Sequence, residues 1–212
     1  MKKKTIALAL VLVMVFGATL GGTFAYLTST DTVTNTFTVG NVQIKLDEAE
    51  AKADGSLAPN ADRVKANSYK LLPGHTYSKD PMVTVLKGSE ASYIKMTVTI
   101  SNASQLDAIF APSGADMTSI FNGYNSTNWI YKGNTEDADA NTRTYVFWYK
   151  ETVAAPTADV ALDALFDSIT VPGSITNDQL KTIEGMTITV NAYAIQADGF
   201  TTPEAAWAAY AG

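Results

Sequence analysis

The stretch that most constrains this chain is residues 28–39, where every even position (Thr28, Thr30, Thr32, Thr34, Thr36 and Thr38) is threonine. The odd positions run Ser29, Asp31, Val33, Asn35, Phe37, Val39, so that face turns from polar to apolar along its length. A strict period of two in β-branched residues predicts a β-strand, because successive side chains alternate between the faces of the pleat. At Gly40-Asn41 the phase breaks, and the apolar residues move to the even positions Val42, Ile44 and Leu46. A one-residue shift at such a pair predicts a β-bulge or bend, a hinge between an arm and the body that follows.

What precedes the arm reads as an export signal. Lys2, Lys3 and Lys4 form a basic start and residues 6–16 are an unbroken apolar run. Gly17, Gly21 and Gly22 then lead into Thr23-Phe24-Ala25, a small-x-small pattern suited to a signal peptidase. Cleavage is expected between Ala25 and Tyr26. The chain then divides into a signal (1–25), an N-terminal strand arm (26–40) and a body (41–212). The competing reading is an uncleaved anchor, since residues 6–25 match the roughly 20 residues of a membrane span; membrane contact is expected only through that segment.

Losing the three lysines takes the net charge from −6 to −9. That balance argues against a nucleic-acid partner and against docking on anionic lipid. It suits a secreted, extracellular protein. The chain contains no cysteine, which excludes disulfides, a lipoprotein anchor, thiol catalysis and cysteine-bound metal. A body of this length holds a sufficient core without staples.

Along the body, residues 47–66 are polar and rich in turn formers and are expected to be an exposed loop. Residues 69–72 predict a short strand stopped by Pro73-Gly74. Residues 76–86 continue extended, with a break at Pro81. Residues 92–101 alternate cleanly: Ile94, Met96, Val98 and Ile100 on one face, Tyr93, Lys95, Thr97 and Thr99 on a face expected to meet water. Short apolar patches at 106–110 and 117–121 suit one or two helical turns. Residues 129–131 and 144–150 predict a hairpin across a loop at 133–141, and its second strand, apolar or aromatic on both faces, is expected to be central, the alternative being that one face is an aromatic surface awaiting a partner.

Residues 157–169 show helical spacing in Val160, Leu162, Leu165, Phe166 and Ile169. A second short helix is expected at 176–183, a long strand at 186–197 and a helix opened by Thr202-Pro203-Glu204. Seven or eight strands with two or three short connecting helices predict a mostly β fold, a single jelly-roll or β-sandwich domain.

Candidate chemistry is sparse. The single histidine, His75, cannot supply the paired ligands of a zinc protease helix, and no nucleophile elbow is present. It is read as a polar turn residue. Glu136, Asp137, Asp139 and Asn141 resemble half of a calcium loop, but Thr142 and Trp148 stand where the EF-hand glycine and bidentate glutamate belong. A solvated hairpin tip is the simpler reading, and no cofactor is expected.

Two stretches resemble a known family. Residues 21–28 (Gly-Gly-Thr-Phe-Ala-Tyr-Leu-Thr) followed by 35–42 (Asn-Thr-Phe-Thr-Val-Gly-Asn-Val) are similar to the start of the TasA/camelysin family of Gram-positive secreted proteins. Leu72-Pro73-Gly74-His75-Thr76, the strand beginning Ser92-Tyr93-Ile94 and the end from Ala192 to Phe200 also resemble it. The resemblance implies a SipW-type signal peptidase as partner on export, and a jelly-roll domain at the cell surface or in the biofilm matrix. It further implies a head-to-tail homopolymer built by donor-strand complementation, each arm completing the next subunit's sheet. Residues 26–39 are then the donor strand, with Val33, Phe37 and Val39 as anchors, and 145–149 is a candidate neighbour in the acceptor. Camelysin is a casein-cleaving metalloprotease, so an extracellular metalloendopeptidase is the alternative function. A monomeric module binding a polysaccharide or surface through Trp129, Trp148 or Trp207 is the third.

Overall fold

The computed structural model of the chain describes residues 40–110 and 119–210. The signal, its cleavage point at Ala25 and Tyr26, and the threonine arm up to Val39 lie outside these residues. Contacts divide the chain between Thr38 and Val39, so all the described residues belong to one unit.

That unit is mostly β. Its strands are β1 (Ile44–Ala49), β2 (Arg63–Val64), β3 (Thr76–Ser78), β4 (Met82–Val85), β5 (Ser92–Ser101), β6 (Trp129–Asp137), β7 (Thr142–Tyr149), β8 (Val160–Ala161), β9 (Ser168–Thr170) and β10 (Ile188–Gln196). Among the described residues they form two four-stranded sheets, ordered β2-β1-β4-β8 and β10-β5-β7-β6, and a two-stranded sheet β3-β9. Three short helices join them: α1 (Ala103–Phe110), α2 (Asn177–Thr182) and α3 (Pro203–Ala209). The count exceeds the seven or eight strands expected because several strands are only two or three residues long and too brief to carry a period.

β5 organises the larger sheet. It pairs antiparallel with β10 from Ser92↔Gln196 to Ile100↔Ile188, and on its other side with β7 from Lys95↔Trp148 to Ser101↔Thr142. Ile94, Met96 and Val98 are completely buried, as are Val83 and Val85 of β4 in the other four-stranded sheet. Both sheets therefore send their alternate side chains into one hydrophobic cluster, joined by Trp129, Tyr145 and Phe147. β7 lies inside its sheet as expected, between β5 and β6. The other face of β5 is covered at one end only: Tyr93 is buried against Trp207 of α3 and Lys95 Nζ sits 4.4–4.9 Å from the rings of Tyr193, Trp207 and Tyr210, whereas Thr97 and Thr99 stay partly exposed.

Local signals account for two helix starts. Thr176 accepts from Gln179 N–H while the Gln179 side chain accepts from Thr176 N–H, a full capping box. Thr202 caps α3 by accepting from Ala205 N–H, ahead of Pro203.

Four expectations are corrected. Residues 157–169 form no helix; they give the short strand β8, which pairs with β4, and the start of β9. Leu162 N–H donates to Val83 O and Leu165 N–H to Pro81 O, so distant carbonyls replace the helical i−4 partners. The hairpin loop is shorter than 133–141, because β6 runs to Asp137 and absorbs a bulge between Tyr131 and Gly133, where Gly133 takes φ 109°. Residues 69–72 make no strand; Tyr77 OH holds them, donating to Lys70 O and accepting from Leu72 N–H. Residues 47–66 are not a uniformly exposed loop, since Asp47, Glu48 and Ala49 are buried in β1.

Phe147→Ala removes a fully buried ring shared by both sheets. Urea denaturation is expected to show a loss of about 3–5 kcal/mol, against a change within about 0.5 kcal/mol for a substitution at exposed Thr135.

Candidate functional site

The core is closed in its middle and open along one side. Ile44 and Leu46 of β1, and Ile188, Val190, Ala192 and Ala194 of β10, pack against the main cluster yet stay only partly buried. β1 and β10 run side by side, but no ladder joins them. The result is a seam between two sheet edges.

Hydrogen-bond phase shows which backbone groups line it. Ser101 N–H donates to Thr187 O (3.1 Å) and Ala197 N–H to Ala91 O (2.7 Å). Odd residues of β10 thus bond to β5, and the N–H and C=O groups of Ile188, Val190, Ala192 and Ala194 point away from it. Leu86 N–H donates to Gln43 O (2.9 Å), so Ile44 and Leu46 likewise turn their backbone groups away from β4. Among the described residues no strand pairs with the outer edge of β10.

The edges of this fold are not equivalent. Edge strands are usually protected by charge, bulges or shortness. β2 and β8 have two residues each, and β6 carries Lys132, Glu136, Asp137 and its bulge. β10 has nine residues, unbroken register and no charged side chain. Among the described residues it alone is a long, unguarded edge.

The seam flares at the Ile188 end into two connected spaces of about 810 and 350 Å³. The larger is bounded by Tyr69, Leu71, Leu180, Met186 and Ile188 together with Asn67, Lys79, Lys181 and Glu184. The smaller is bounded by Val64, Lys65, Asp47, Glu48, Lys79 and Val190. Its floor is a packed ionic network. Lys79 Nζ lies 2.6 Å from Glu48 Oε2, both side chains nearly buried. Asn67 Nδ2 donates to Glu48 Oε1 (3.0 Å), and Arg63 bridges Asp47 Oδ1 (2.9 Å) and Asp80 Oδ2 (2.5 Å). Burial would raise the Asp47 carboxyl, but hydrogen bonds from Lys45 and Arg63 outweigh it and hold the group below the usual aspartate range. Burial, with the nearby Glu48 charge, pushes the Tyr69 hydroxyl far upward. It stays a neutral donor, 2.6 Å from Ser78 O.

The root of the arm lies at the opposite end. Glu90 N–H donates to Asn41 O (2.8 Å) beside the Ala91–Ala197 bond, at the C-terminal end of β10. From Ile188 to Gln196 a strand covers about 27 Å. Neither Gly40 nor Asn41 has positive φ, so the pair does not make the primed two-residue turn that folds a strand back on its neighbour. Gly40 and Asn41 lie outside any strand, and regular structure begins at Ile44. Whether a bulge joins them to the threonine arm falls outside the described residues.

The remaining candidates resolve differently. His75 is exposed on its turn. In the calcium-like loop, Glu136 is engaged by Arg143 (2.6 Å) and Asp137 Oδ1 accepts from Ala140 N–H (2.9 Å). Among the described residues no group of three His, Asp or Glu is arranged to hold a metal ion. Trp129 is buried with Nε1 donating to Asp163 O, and Trp207 on α3 is buried against Tyr93, which leaves Trp148 half-buried. The seam residues Glu48, Arg63, Asn67 and Lys79 had no local signature; the missing charge in 188–196 was the one readable sign.

Fold and site together define a mostly β domain of ten strands in three sheets with a few short helices, among the described residues, bearing one open seam. Compared with known protein families and with curated proteins, the chain matches none.

Lys79→Ala strands a buried carboxylate and is expected to cost about 3–5 kcal/mol in denaturant unfolding at pH 7. Asp47, with its depressed folded pKa, contributes stability that is fully present above its unfolded pKa of about 3.9 and is lost as pH falls through the folded value. The stability gap between the wild type and Asp47→Asn is therefore expected to narrow below about pH 4, measured by urea titrations across pH 2–7.

Proposed function

We propose that this chain is a secreted structural protein, a fibre subunit of the extracellular matrix or cell surface, assembled by N-terminal donor-strand complementation. On this reading the two four-stranded sheets form a jelly-roll sandwich. A SipW-type signal peptidase cleaves between Ala25 and Tyr26 and frees the arm. Residues 26–39 of one copy then add to the β10 edge in the seam of the next, as in β-augmentation generally.

The observation that supports this best is the placing of the two ends. The arm is rooted at the Gln196 end of β10, and the seam flares at the Ile188 end. A subunit with its plug at one pole and its socket at the other makes a heterologous contact, which does not close and so propagates as a filament. The peptidase alternative gains nothing from exposed His75, and a tryptophan-based binding module gains little from buried Trp129 and Trp207.

Electron microscopy of the secreted protein is expected to show filaments. Deleting residues 26–39 should abolish them while circular dichroism still reports a folded β monomer. Filaments from the truncated chain would refute the assembly mechanism.

A further inference from the structure

Asn67 stands beside the buried Lys79–Glu48 pair, and its side-chain amide is fixed at both ends. Nδ2 donates to Glu48 Oε1 (3.0 Å) and to Ala49 O (2.9 Å), and Oδ1 accepts from Ala51 N–H (2.8 Å). These partners fit only this orientation of the amide, since a flip sets donor against donor. Lys79 Nζ lies 2.6 Å from the other carboxylate oxygen, Glu48 Oε2. One nearly buried carboxylate therefore bonds both an amine and the nitrogen of a carboxamide. Asn67 and Lys79 each line both spaces of the flare, which gives the two side chains room to meet.

We infer that Lys79, Glu48 and Asn67 form a self-modification site that joins the Lys79 and Asn67 side chains through an intramolecular amide bond. Holding amine, carboxamide and proton carrier together replaces an encounter between separate molecules. Glu48 takes a proton from the Lys79 ammonium, and the freed amine attacks Asn67 Cγ. Negative charge develops on Oδ1, where the Ala51 N–H already points. Glu48 then passes its proton to Nδ2 and takes a second one from Nζ. The Nζ–Cγ bond is made, the Cγ–Nδ2 bond breaks, and Nδ2 leaves with the electron pair as ammonia. Glu48 ends as a neutral acid beside a neutral amide, and no oxidant or co-reactant is consumed. A buried ion pair is exchanged for uncharged groups, which removes a desolvation cost; the neighbouring charges of Arg63, Asp47 and Asp80 are untouched. The chain has no cysteine, and this bond supplies the kind of covalent staple that disulfides give many secreted domains. It spans residues 69–72, which have no strand ladder to hold them.

Tryptic mapping of the purified wild-type protein by tandem mass spectrometry tests the bond directly, with no variant needed. Cleavage after Lys65, Lys70 and Lys87 is expected to release peptide 66–70 joined to peptide 71–87, uncut at Lys79 and lighter by one ammonia. Peptide 66–70 recovered unlinked overturns the proposal, whether at its sequence mass or with ammonia lost to a succinimide at Asn67-Ser68. Lys79 joined instead to peptide 46–52 with loss of water also overturns it, because Glu48 is then the acyl group and Asn67 a bystander. In Glu48→Gln, shown to be folded by circular dichroism, the linked fraction is expected to fall by about tenfold or more. Undiminished linking in that variant overturns the role given to Glu48. The bond lies within one subunit, so its presence or absence is read separately from filament formation.

Discussion

A backbone N–H or C=O on a sheet edge must be bonded to something, and in this fold that requirement is met unevenly. β5 is satisfied on both sides, by β10 and β7, and the core is dry around it. At the margins β2 and β8 are too short to offer a template, and β6 is bulged and charged. β10 has neither defence, although it belongs to the same sheet and feeds the same core. A long unguarded edge is an aggregation hazard unless something specific covers it. The half-buried aliphatic residues along the seam mark the same place from the side of the core: burial stops where pairing stops.

On the proposed function, the ionic network gives that edge its selectivity. Glu48 and Lys79 lie in the floor of the flare, where a buried pair adds little to stability by itself and breaking it is costly. Its value on the proposed function is discrimination, because charges beside the seam penalise strands that present apolar residues at that point. Nearby apolar surface at Leu71, Leu180 and Met186 supplies the attraction.

What was legible in the sequence was whatever its own neighbourhood decides. The alternation of residues 92–101 marks β5 to its ends, and the helices expected at 176–183 and after Thr202 match α2 and α3, because caps and pleats act over three or four residues. What was misread depended on distant partners. Leu162, Leu165 and Phe166 fall at helical spacing, yet their segment bonds to carbonyls of residues 81 and 83. Asp47 and Glu48 look like loop acids until Arg63 and Lys79 arrive, the latter 31 positions away. Tyr77, which holds residues 70 and 72 through its hydroxyl, does the work expected of a ladder. The candidate site divides the same way: the arm and the uncharged run of β10 are written in order along the chain, whereas the ionic floor exists only once the sheets have met.

The central claim is that the open edge of β10 is covered by another copy's arm on assembly. Hydrogen exchange with mass spectrometry, comparing monomeric and filamentous forms of the secreted protein, tests it most directly. The account predicts that amides of Ile188, Val190, Ala192 and Ala194 exchange readily in the monomer and slow by at least tenfold in filaments, with β6 unchanged. Equal exchange along β10 in the two forms, or new protection confined to β6, would contradict it.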